Sequence, residues 1–395
     1  MNFRTLVIAG VGTIGSGLLR LGKETLDTFE HLVAIDRCAE KLNPPPGLDL
    51  ACRRGDIEDF RFLTNLFREI RRPALLVNLC SGADNVRIRK FLSQFDVAYL
   101  DSCASGMYQK PEHRFSKLMP YTLQKTGSAY PHWLCWGINP GLVEIISRRS
   151  MKKFDETDGS FEISIFEFDQ LRADLKDSKI AVGWSPEVLV EEVMISPSFW
   201  VADGSRMELS TPGSRKVVAF WQGKPVLSRI VGHEDVWNIG RLSGVSRAEF
   251  AYALDPRVME AFEGGADGAR ERLEVPAADV PVFGLERVAV KVKAPGTGNE
   301  ETLLWAVDHE DVWRRHQVNA VQYQTGKSLL LAIALLQRTR YGRLPLNCCA
   351  ADLPIGAEDW ENFEQMMAAL DIRWTDAAAL ALRTAPVEDE YCSAS

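Results

Sequence analysis

The sequence lacks the cysteine and histidine spacings that mark metal centres and disulfide scaffolds. Among its eight cysteines and six histidines there is no C-x-x-C pair and no Cys/His cluster at zinc-ligand spacing. Several cysteines lie in apolar segments, where a thiol behaves as a small hydrophobic side chain. We therefore expect a reducing compartment, no bound metal and no disulfide framework.

An excess of positive charge and long apolar runs are also absent. The 395 residues include 46 basic and 54 acidic side chains, a net charge of −8, which argues against nucleic acid as a partner and is compatible with a cationic substrate. The longest apolar run, Leu329–Leu336, is far shorter than the roughly 20 residues that span a bilayer. We expect a cytoplasmic protein of two or three domains, with no leader segment and no membrane partner.

What the sequence does contain begins with a glycine-rich turn. Residues 6–9 are apolar and predict a buried strand, and Gly10, Gly12 and Gly15 follow it in the spacing G-x-G-x-x-G. The first glycine permits a tight turn, the second lets the backbone approach a pyrophosphate, and the third lets the next helix pack closely on the sheet. The next predicted strand ends in Asp36, whose carboxylate can accept hydrogen bonds from the adenosine ribose. The pattern predicts a bound dinucleotide.

Predicted strands and helices alternate through the first 140 residues. Apolar runs at 74–79 and 97–100 each end in small polar residues. Such alternation predicts a doubly wound parallel sheet, with ligands at the carboxyl ends of its strands. The residues predicted to bind the cofactor are Gly10, Gly12, Thr13, Ile14, Gly15, Asp36, Arg37, Asp56, Ile57, Ser81, Gly82, Ser102 and Cys103.

The pattern changes near Phe161, where apolar and polar residues begin to alternate. Further strand-like runs follow as far as residue 307 with few long helices between them, which predicts a second domain built on a largely antiparallel sheet. We expect the glycine-rich stretch 264–268 to be a surface loop. We also expect the helical pattern over 318–337 to be broken at Thr325–Gly326.

Five motifs along the chain share the pattern of one known superfamily. They are the glycine motif, YLDS at 99–102, GINPGLV at 137–143, GHED at 232–235 and HQVNAVQYQTG at 316–326. Together they resemble the saccharopine dehydrogenase-like superfamily, and within it the homospermidine synthases and carboxynorspermidine dehydrogenases.

The resemblance implies an α/β fold, in which a Rossmann dinucleotide-binding domain receives an inserted α+β mixed-sheet domain for substrate binding and dimerisation. It implies a first domain at 1–140, the inserted domain at 141–312, and C-terminal helices at 313–385 that return to the first domain. The last residues, 386–395, are predicted to be a disordered tail. We expect a homodimer formed through residues 150–310, where unpaired sheet edges and aromatic residues would be buried.

The resemblance also implies chemistry on a carbon–nitrogen bond, in which an amine and a carbonyl compound form an imine that NAD(P)H reduces. Proton transfer then needs a group that titrates near neutrality, and a cationic amine needs carboxylates and aromatic faces. The predicted catalytic residues are His233, Glu167 and Asn139. The predicted substrate-binding residues are Trp136, Asp169, Trp184, Glu234 and Asp235. His309, in a second His-Glu-Asp sequence, is the next candidate for proton transfer.

These features predict an NAD(P)-dependent dehydrogenase or synthase of carbon–nitrogen bonds in polyamine biosynthesis. Asp36 favours NAD as the cofactor, and the adjacent Arg37 leaves NADP open. A saccharopine- or opine-type dehydrogenase, which joins an amino acid to a keto acid, is an alternative and would need an arginine clamp from Arg229, Arg241 or Arg247. A non-catalytic regulator that senses a dinucleotide is an alternative from another class.

Overall fold

The computed structural model of the chain describes residues 2–42, 44–104, 126–154, 160–202, 205–208, 216–221, 224–337, 345–355, 357–378, 382 and 384–386. The predicted tail at 386–395 lies outside the described residues, apart from Pro386. The chain divides into two compact units. The first comprises Met1–Leu142 and His316–Ile372, and the second comprises Val143–Arg315 and Arg373–Ser395.

Among the residues described above, seven strands form the sheet of the first unit. Numbered in chain order, they are β1 Thr5–Ala9, β2 His31–Asp36, β3 Ala51–Arg54, β4 Ala74–Asn78, β5 Val97–Asp101, β6 His132–Leu134 and β19 Asn347–Cys349. They run in the order β19-β6-β5-β4-β1-β2-β3, and all neighbours are parallel. Every residue of β1, β4 and β5 is buried, as expected where helices cover both faces. The direction of winding reverses between β1 and β4, where a doubly wound sheet opens a crevice for a ligand.

Six helices of the first unit lie within the described residues. They are α1 Thr13–Leu21, α2 Lys23–Leu26, α3 Phe60–Glu69, α4 Asn85–Leu92, α11 Ala320–Gln337 and α12 Ala357–Ala369. Two of them begin where an aspartate side chain accepts hydrogen bonds from amides of the first turn. Asp59 accepts from Arg61 and Phe62 at the start of α3. Asp84 accepts from Arg87 at the start of α4. Each cap therefore fixes the residue at which a helix that covers the sheet begins.

The helix α11 continues through Gly326, so the predicted break at Thr325–Gly326 is wrong. A Cβ atom at Gly326 would lie 2.9 Å from Cδ1 of Leu21 and 3.8 Å from Cα of Leu18, both in α1. The glycine therefore allows α1 and α11 to pack closely. This packing offsets the unfavourable helix propensity of glycine, which is about 1 kcal/mol poorer than that of alanine. Among the described helices, none is both long and apolar enough to cross a membrane.

Over the described ranges, the sheet of the second unit contains ten strands. They are β7 Phe161–Asp169, β10 Phe199–Ala202, β11 Ser205–Glu208, β12 Lys216–Trp221, β13 Lys224–Ile230, β14 Val245–Leu254, β17 Leu285–Ala294, β18 Asn299–Asp308, β20 Thr375–Asp376 and β21 Thr384–Pro386. The order is β20-β18-β17-β7-β14-β13-β12-β21, and β10 pairs with β11 and β14. The pair of β7 and β14 is parallel, whereas the other pairs of this sheet are antiparallel. The sheet is therefore mixed, as predicted.

Two short ladders and six α-helices complete the part of the second unit that the structure describes. The ladders join β8 Arg172–Ala173 to β16 Val282–Phe283 and β9 Ile180–Ala181 to β15 Leu273–Glu274. The helices are α5 Leu142–Phe154, α6 Pro186–Val190, α7 Glu234–Gly240, α8 Pro256–Glu263, α9 Gly265–Arg272 and α10 His309–His316. A π-helical turn, Glu191–Ile195, follows α6 directly.

The strand register in the centre of this sheet determines which side chains lie on each of its two faces. Glu167 of β7 lies beside Tyr252 of β14 and Val288 of β17, and Asp169 lies beside Glu286. Because side chains alternate along a strand, these acids share one face. The opposite face carries an apolar core of Phe166, Phe168, Val217, Ala219, Trp221, Ile230, Ala251, Ala253, Ala289 and Leu382.

Two predictions for the second unit are corrected by the structure. The stretch 264–268 is not a loop, because Gly264 forms the turn between α8 and α9 and residues 265–268 begin α9. Residues 373–386 lie in the second unit rather than with the first domain, because β20 pairs with β18 and β21 with β12. These two strands have only two and three residues, which is too short to leave a recognisable pattern.

Gly15→Ala is expected to lower the free energy of unfolding by about 1–3 kcal/mol. The reason is that a Cβ atom at Gly15 would lie 2.0 Å from the carbonyl oxygen of Gly10. Urea unfolding followed by circular dichroism measures the loss. Gly12→Ala is the matched control, since nothing lies within 4 Å of its Cβ position and its φ of −77° suits alanine. Equal stability of the two variants would contradict this packing.

Candidate functional site

The glycine turn after β1 forms a cradle in the first unit. Gly10 has a φ of +88°, and a Cβ atom there would meet the backbone of Leu79 at 2.7 Å. The helix α1 begins at Thr13, directly after Gly12, and no side chain caps its first amides. Free amides at a helix N-terminus, together with the open space at Gly12, suit an anion such as a pyrophosphate.

A cavity of about 310 Å³ opens beside this cradle. Eight of the predicted cofactor-binding residues line it, namely Gly10, Gly12, Asp36, Arg37, Asp56, Ile57, Ser81 and Gly82. Five others do not line it, namely Thr13, Ile14, Gly15, Ser102 and Cys103. Sequence reasoning missed the remaining lining residues, Ile35, Lys41, Gly55, Glu58, Leu79, Cys80 and Ala83. Most of these directly adjoin residues that were predicted.

The carboxylate of Asp36 is fixed at the edge of this cavity by the backbone. Its Oδ2 accepts a hydrogen bond of 2.8 Å from the Val11 amide, and its Oδ1 accepts one of 2.9 Å from the Cys38 amide. The positive charge of Arg37, the residue after Asp36, is paired with another acid, because its Nη1 lies 3.7 Å from Oδ2 of Asp56. The cavity edge therefore presents a positioned negative charge.

The turn at 137–141 contains two predicted site residues with different surroundings. A backbone hydrogen bond of 2.6 Å closes it, between the amide of its first residue and the carbonyl of its fourth. Asn139 lies in this turn and is partly exposed. Trp136, just before it, is fully buried and stacks on Trp133 with ring centroids 5.1 Å apart. Trp136 therefore packs in the core of the first unit, and its predicted role in binding an amine stays a prediction.

The imidazole of His233 lies in a buried acidic group in the second unit, termed here the His233 cluster. Its Nδ1 lies 2.8 Å from Oδ1 of Asp235 and 4.0 Å from Oε2 of Glu234. Its Nε2 lies 3.1 Å from Oε1 of Glu192, in the π-helical turn. The ring stacks on Phe250 with centroids 4.6 Å apart. The two acids that follow His233 lie in the first turn of α7, where the helix dipole favours negative charge.

This environment holds His233 in its protonated form. Burial lowers the pKa of His233, but the carboxylates of Asp235, Glu192 and Glu234 outweigh burial and raise this pKa to about 10. Because the pKa is higher in the folded chain, the charged imidazole stabilises the fold fully below its ordinary pKa of 6.5. That stabilisation is lost as the pH rises through about 10.

A second buried group, termed the strand cluster, consists of Glu167, Asp169, Glu286 and His309. Nε2 of His309, the first residue of α10, lies 3.2 Å from Oδ1 of Asp169. Burial and the neighbouring carboxylates of Asp169 and Glu167 raise the pKa of Glu286 well above its usual range. Acids from β7 and β17 therefore meet a histidine on the polar face of the sheet.

Aromatic residues connect the two clusters along this face. The ring of Tyr252 meets Phe250 edge to face with centroids 5.8 Å apart, and Phe250 in turn stacks on His233. The indole Nε1 of Trp184 lies 3.4 Å from the Tyr252 hydroxyl, and Glu167 lies beside Tyr252 on the neighbouring strand. The structure thus brings most of the predicted substrate residues onto one face of the second unit.

Four residues of this face were not predicted from the sequence, namely Glu192, Phe250, Tyr252 and Glu286. Glu192 left a signal, because it is an acid within the otherwise mostly apolar run 188–195. Glu286 left none that could be recognised, since its partner Asp169 is far away in the sequence.

In the predicted arginine clamp, Nη2 of Arg247 lies 2.7 Å from Oε2 of Glu249, so its charge is already paired.

Comparisons with known proteins support the fold. No family model matches the chain, and a search of curated proteins also finds no match. Among solved structures, the chain is similar to homospermidine synthase from Legionella pneumophila in complex with NAD, with a TM-score of 0.69 and 11% identity over 97% of this chain and 91% of that chain. It is also similar to apo saccharopine dehydrogenase (L-Glu forming) from Saccharomyces cerevisiae, with a TM-score of 0.61 and 10% identity over 98% of this chain and 100% of that chain. The chain therefore has the fold of saccharopine dehydrogenase-like proteins, as its motifs predict.

Asp235→Asn is expected to lower the pKa of His233 by about 1–3 pH units, because it removes a carboxylate close to Nδ1. Nuclear magnetic resonance titration of the His233 ring measures this change, and the wild-type ring should remain protonated above pH 9. Asp267→Asn, at an exposed acid of α9, is the control that should leave the titration unchanged. A wild-type ring that titrates near pH 6.5 would contradict the described electrostatics.

Proposed function

We propose that this chain is an NAD(P)-dependent oxidoreductase that forms or cleaves a carbon–nitrogen bond through an imine, with a polyamine-type amine as one substrate. The observation that carries the proposal is the buried imidazole of His233 between the carboxylates of Asp235 and Glu192. The similarity in fold to homospermidine synthase, over almost the whole chain, supports the choice of reaction and cofactor.

The cradle in the first unit fits a dinucleotide. Amides at the start of α1 would bind the pyrophosphate, and Gly12 leaves the space it needs. The carboxylate of Asp36 would accept hydrogen bonds from the ribose hydroxyls. When bound, the nicotinamide supplies the hydride that reduces an imine or takes one from an amine.

The His233 cluster suits a substrate that carries positive charge. It contains three carboxylates and a single imidazole, and His233 and its partners Glu192 and Asp235 are all buried. An ammonium group loses hydration when it is buried and needs carboxylates to replace the water. The ring of Phe250, stacked beside His233, adds an apolar surface for the carbon chain of such an amine.

The same residues can move the proton that imine formation requires. The amine nitrogen must lose a proton before it attacks the carbonyl carbon, and the carbonyl oxygen must gain protons before it leaves as water. A carboxylate such as Glu192 can accept the first proton, and the imidazolium of His233 can donate to the leaving oxygen. The contact between the two side chains lets the proton return to the imidazole.

The alternative of an amino acid joined to a keto acid is less well supported by the site. Such a reaction needs cations for the carboxylates of both substrates. Of the predicted clamp, Arg247 is paired with Glu249, and the guanidinium of Arg229 lies over the ring of Phe262. An amine substrate without carboxylates therefore agrees better with the charges of the second unit.

Calorimetric titration is expected to show tighter binding of NADH than of NADPH, because the fixed carboxylate of Asp36 repels a 2′-phosphate. Gly12→Ala should weaken NADH binding at least tenfold, about 1.4 kcal/mol, without loss of stability. Gly296→Ala, in the exposed turn between β17 and β18, controls for substitution of a glycine, since nothing lies within 4 Å of its Cβ position. NADPH that binds ten times more tightly than NADH would overturn the cofactor preference.

His233→Asn is expected to lower turnover of the preferred amine and carbonyl pair by about 10²–10⁴, the range for loss of general acid–base help. NADH affinity should be unchanged, because residues of the first unit line the dinucleotide cavity. Stopped-flow absorbance at 340 nm measures the rate, and His31→Asn, at an exposed histidine, is the control. Near-normal turnover of His233→Asn from pH 6 to 9 would remove His233 from the mechanism.

A further inference from the structure

Three residues of the strand cluster have the composition and spacing of a metal site. One ligand atom each from Asp169, Glu286 and His309 lie within 4.8 Å of one another, and all three side chains are buried. A zinc ion bonds to imidazole nitrogen and carboxylate oxygen at about 2.0–2.2 Å, which places neighbouring ligand atoms some 3–4 Å apart. We propose that Asp169, Glu286 and His309 bind a divalent transition-metal ion, with Zn²⁺ preferred.

The backbone holds these ligands in place before any ion binds. Asp169 and Glu286 are register partners on the adjacent strands β7 and β17, so their side chains leave the same face of the sheet. The amide of His309 donates a hydrogen bond of 2.9 Å to the carbonyl of Gly284, just before β17. A Cβ atom at Gly284, where φ is +106°, would lie 2.0 Å from the carbonyl oxygen of Gln170. This close approach keeps the two strand ends together.

Glu286 supplies a second observation that favours a ligand at this site. Its side chain is 1% exposed, and its Oε2 has no hydrogen-bond partner among the described residues. A buried carboxylate oxygen without a partner costs about 1–3 kcal/mol or more. The carboxyl group of Glu286 forms hydrogen bonds with Asp169 and Glu167. Coordination to a metal ion would satisfy the remaining oxygen, Oε2.

The ligand types select the class of ion. Carboxylates alone suit Mg²⁺ and Ca²⁺, whereas imidazole favours Zn²⁺, Fe²⁺ or Cu²⁺. Glu167, which adjoins Glu286, offers a further carboxylate to complete four-coordination. The proposed site lies wholly within the second unit and does not depend on the proposed function.

Metal content of the full chain tests the proposal without cofactor or substrate. The protein is stripped with a chelator, dialysed against micromolar ZnCl₂ and analysed by inductively coupled plasma mass spectrometry. The expected result is one zinc per chain, with a higher unfolding temperature than the stripped protein because the ion binds the folded state. Glu286→Gln and His309→Gln should each weaken binding at least tenfold. Glu249→Gln, at another buried acid of the same sheet, is the matched control and should bind normally.

Two results would overturn the proposal. One is a wild-type chain that retains no zinc, a measurement that stands even if a variant does not fold. The other is a chain whose zinc survives Glu286→Gln and His309→Gln but is lost in His233→Asn, since that would place the ion at the His233 cluster. Cobalt substitution adds a second readout, because a Co²⁺ ion at the proposed ligands should give visible absorption bands that the Glu286→Gln variant loses.

Discussion

The pairing of β7 between β14 and β17 is the constraint on which the rest of the second unit depends. Because side chains alternate along these strands, one register places Phe166 and Phe168 in an apolar core and Glu167 and Asp169 on the opposite face. A shift by one residue would exchange the two sets and bury acids in the core. The apolar face therefore specifies the register, and the register brings together Asp169 and Glu286 of the strand cluster.

Buried acids need compensation, and the two clusters achieve it differently. In the His233 cluster, an imidazole contacts Asp235 and Glu192 and is held protonated by them. Removing one partner of a buried ion pair typically costs about 3–5 kcal/mol. The strand cluster has a histidine beside Asp169, and each cluster leaves one buried carboxylate oxygen without a partner in the described chain, Oδ2 of Asp235 in the first and Oε2 of Glu286 in the second. We assign proton transfer to the first cluster because its imidazole contacts both Asp235 and Glu192. We assign an ion to the second because the carboxyl groups of Asp169 and Glu167 lie against that of Glu286.

The sequence predicts the α/β fold well, because the glycine motif and the fully apolar strands leave strong local signals. It fails where long-range packing decides, as at Gly326, whose glycine serves contact with Leu21 and does not end a helix. In the candidate site, the GHED motif identifies His233 and two of its acids. Asp169 and His309 are 140 residues apart, so only strand pairing and the position of α10 show that they meet.

The central claim is that a hydride passes between the nicotinamide and a substrate carbon bonded to nitrogen. Reduced cofactor labelled with deuterium at the transferred position tests it most directly, in incubations with a panel of paired amines and carbonyl compounds. Mass spectrometry is expected to find a secondary amine with one deuterium on the carbon next to nitrogen in wild type, and far less of it in His233→Asn. A protein that binds the cofactor but transfers deuterium to none of the pairs would contradict it and favour a dinucleotide sensor.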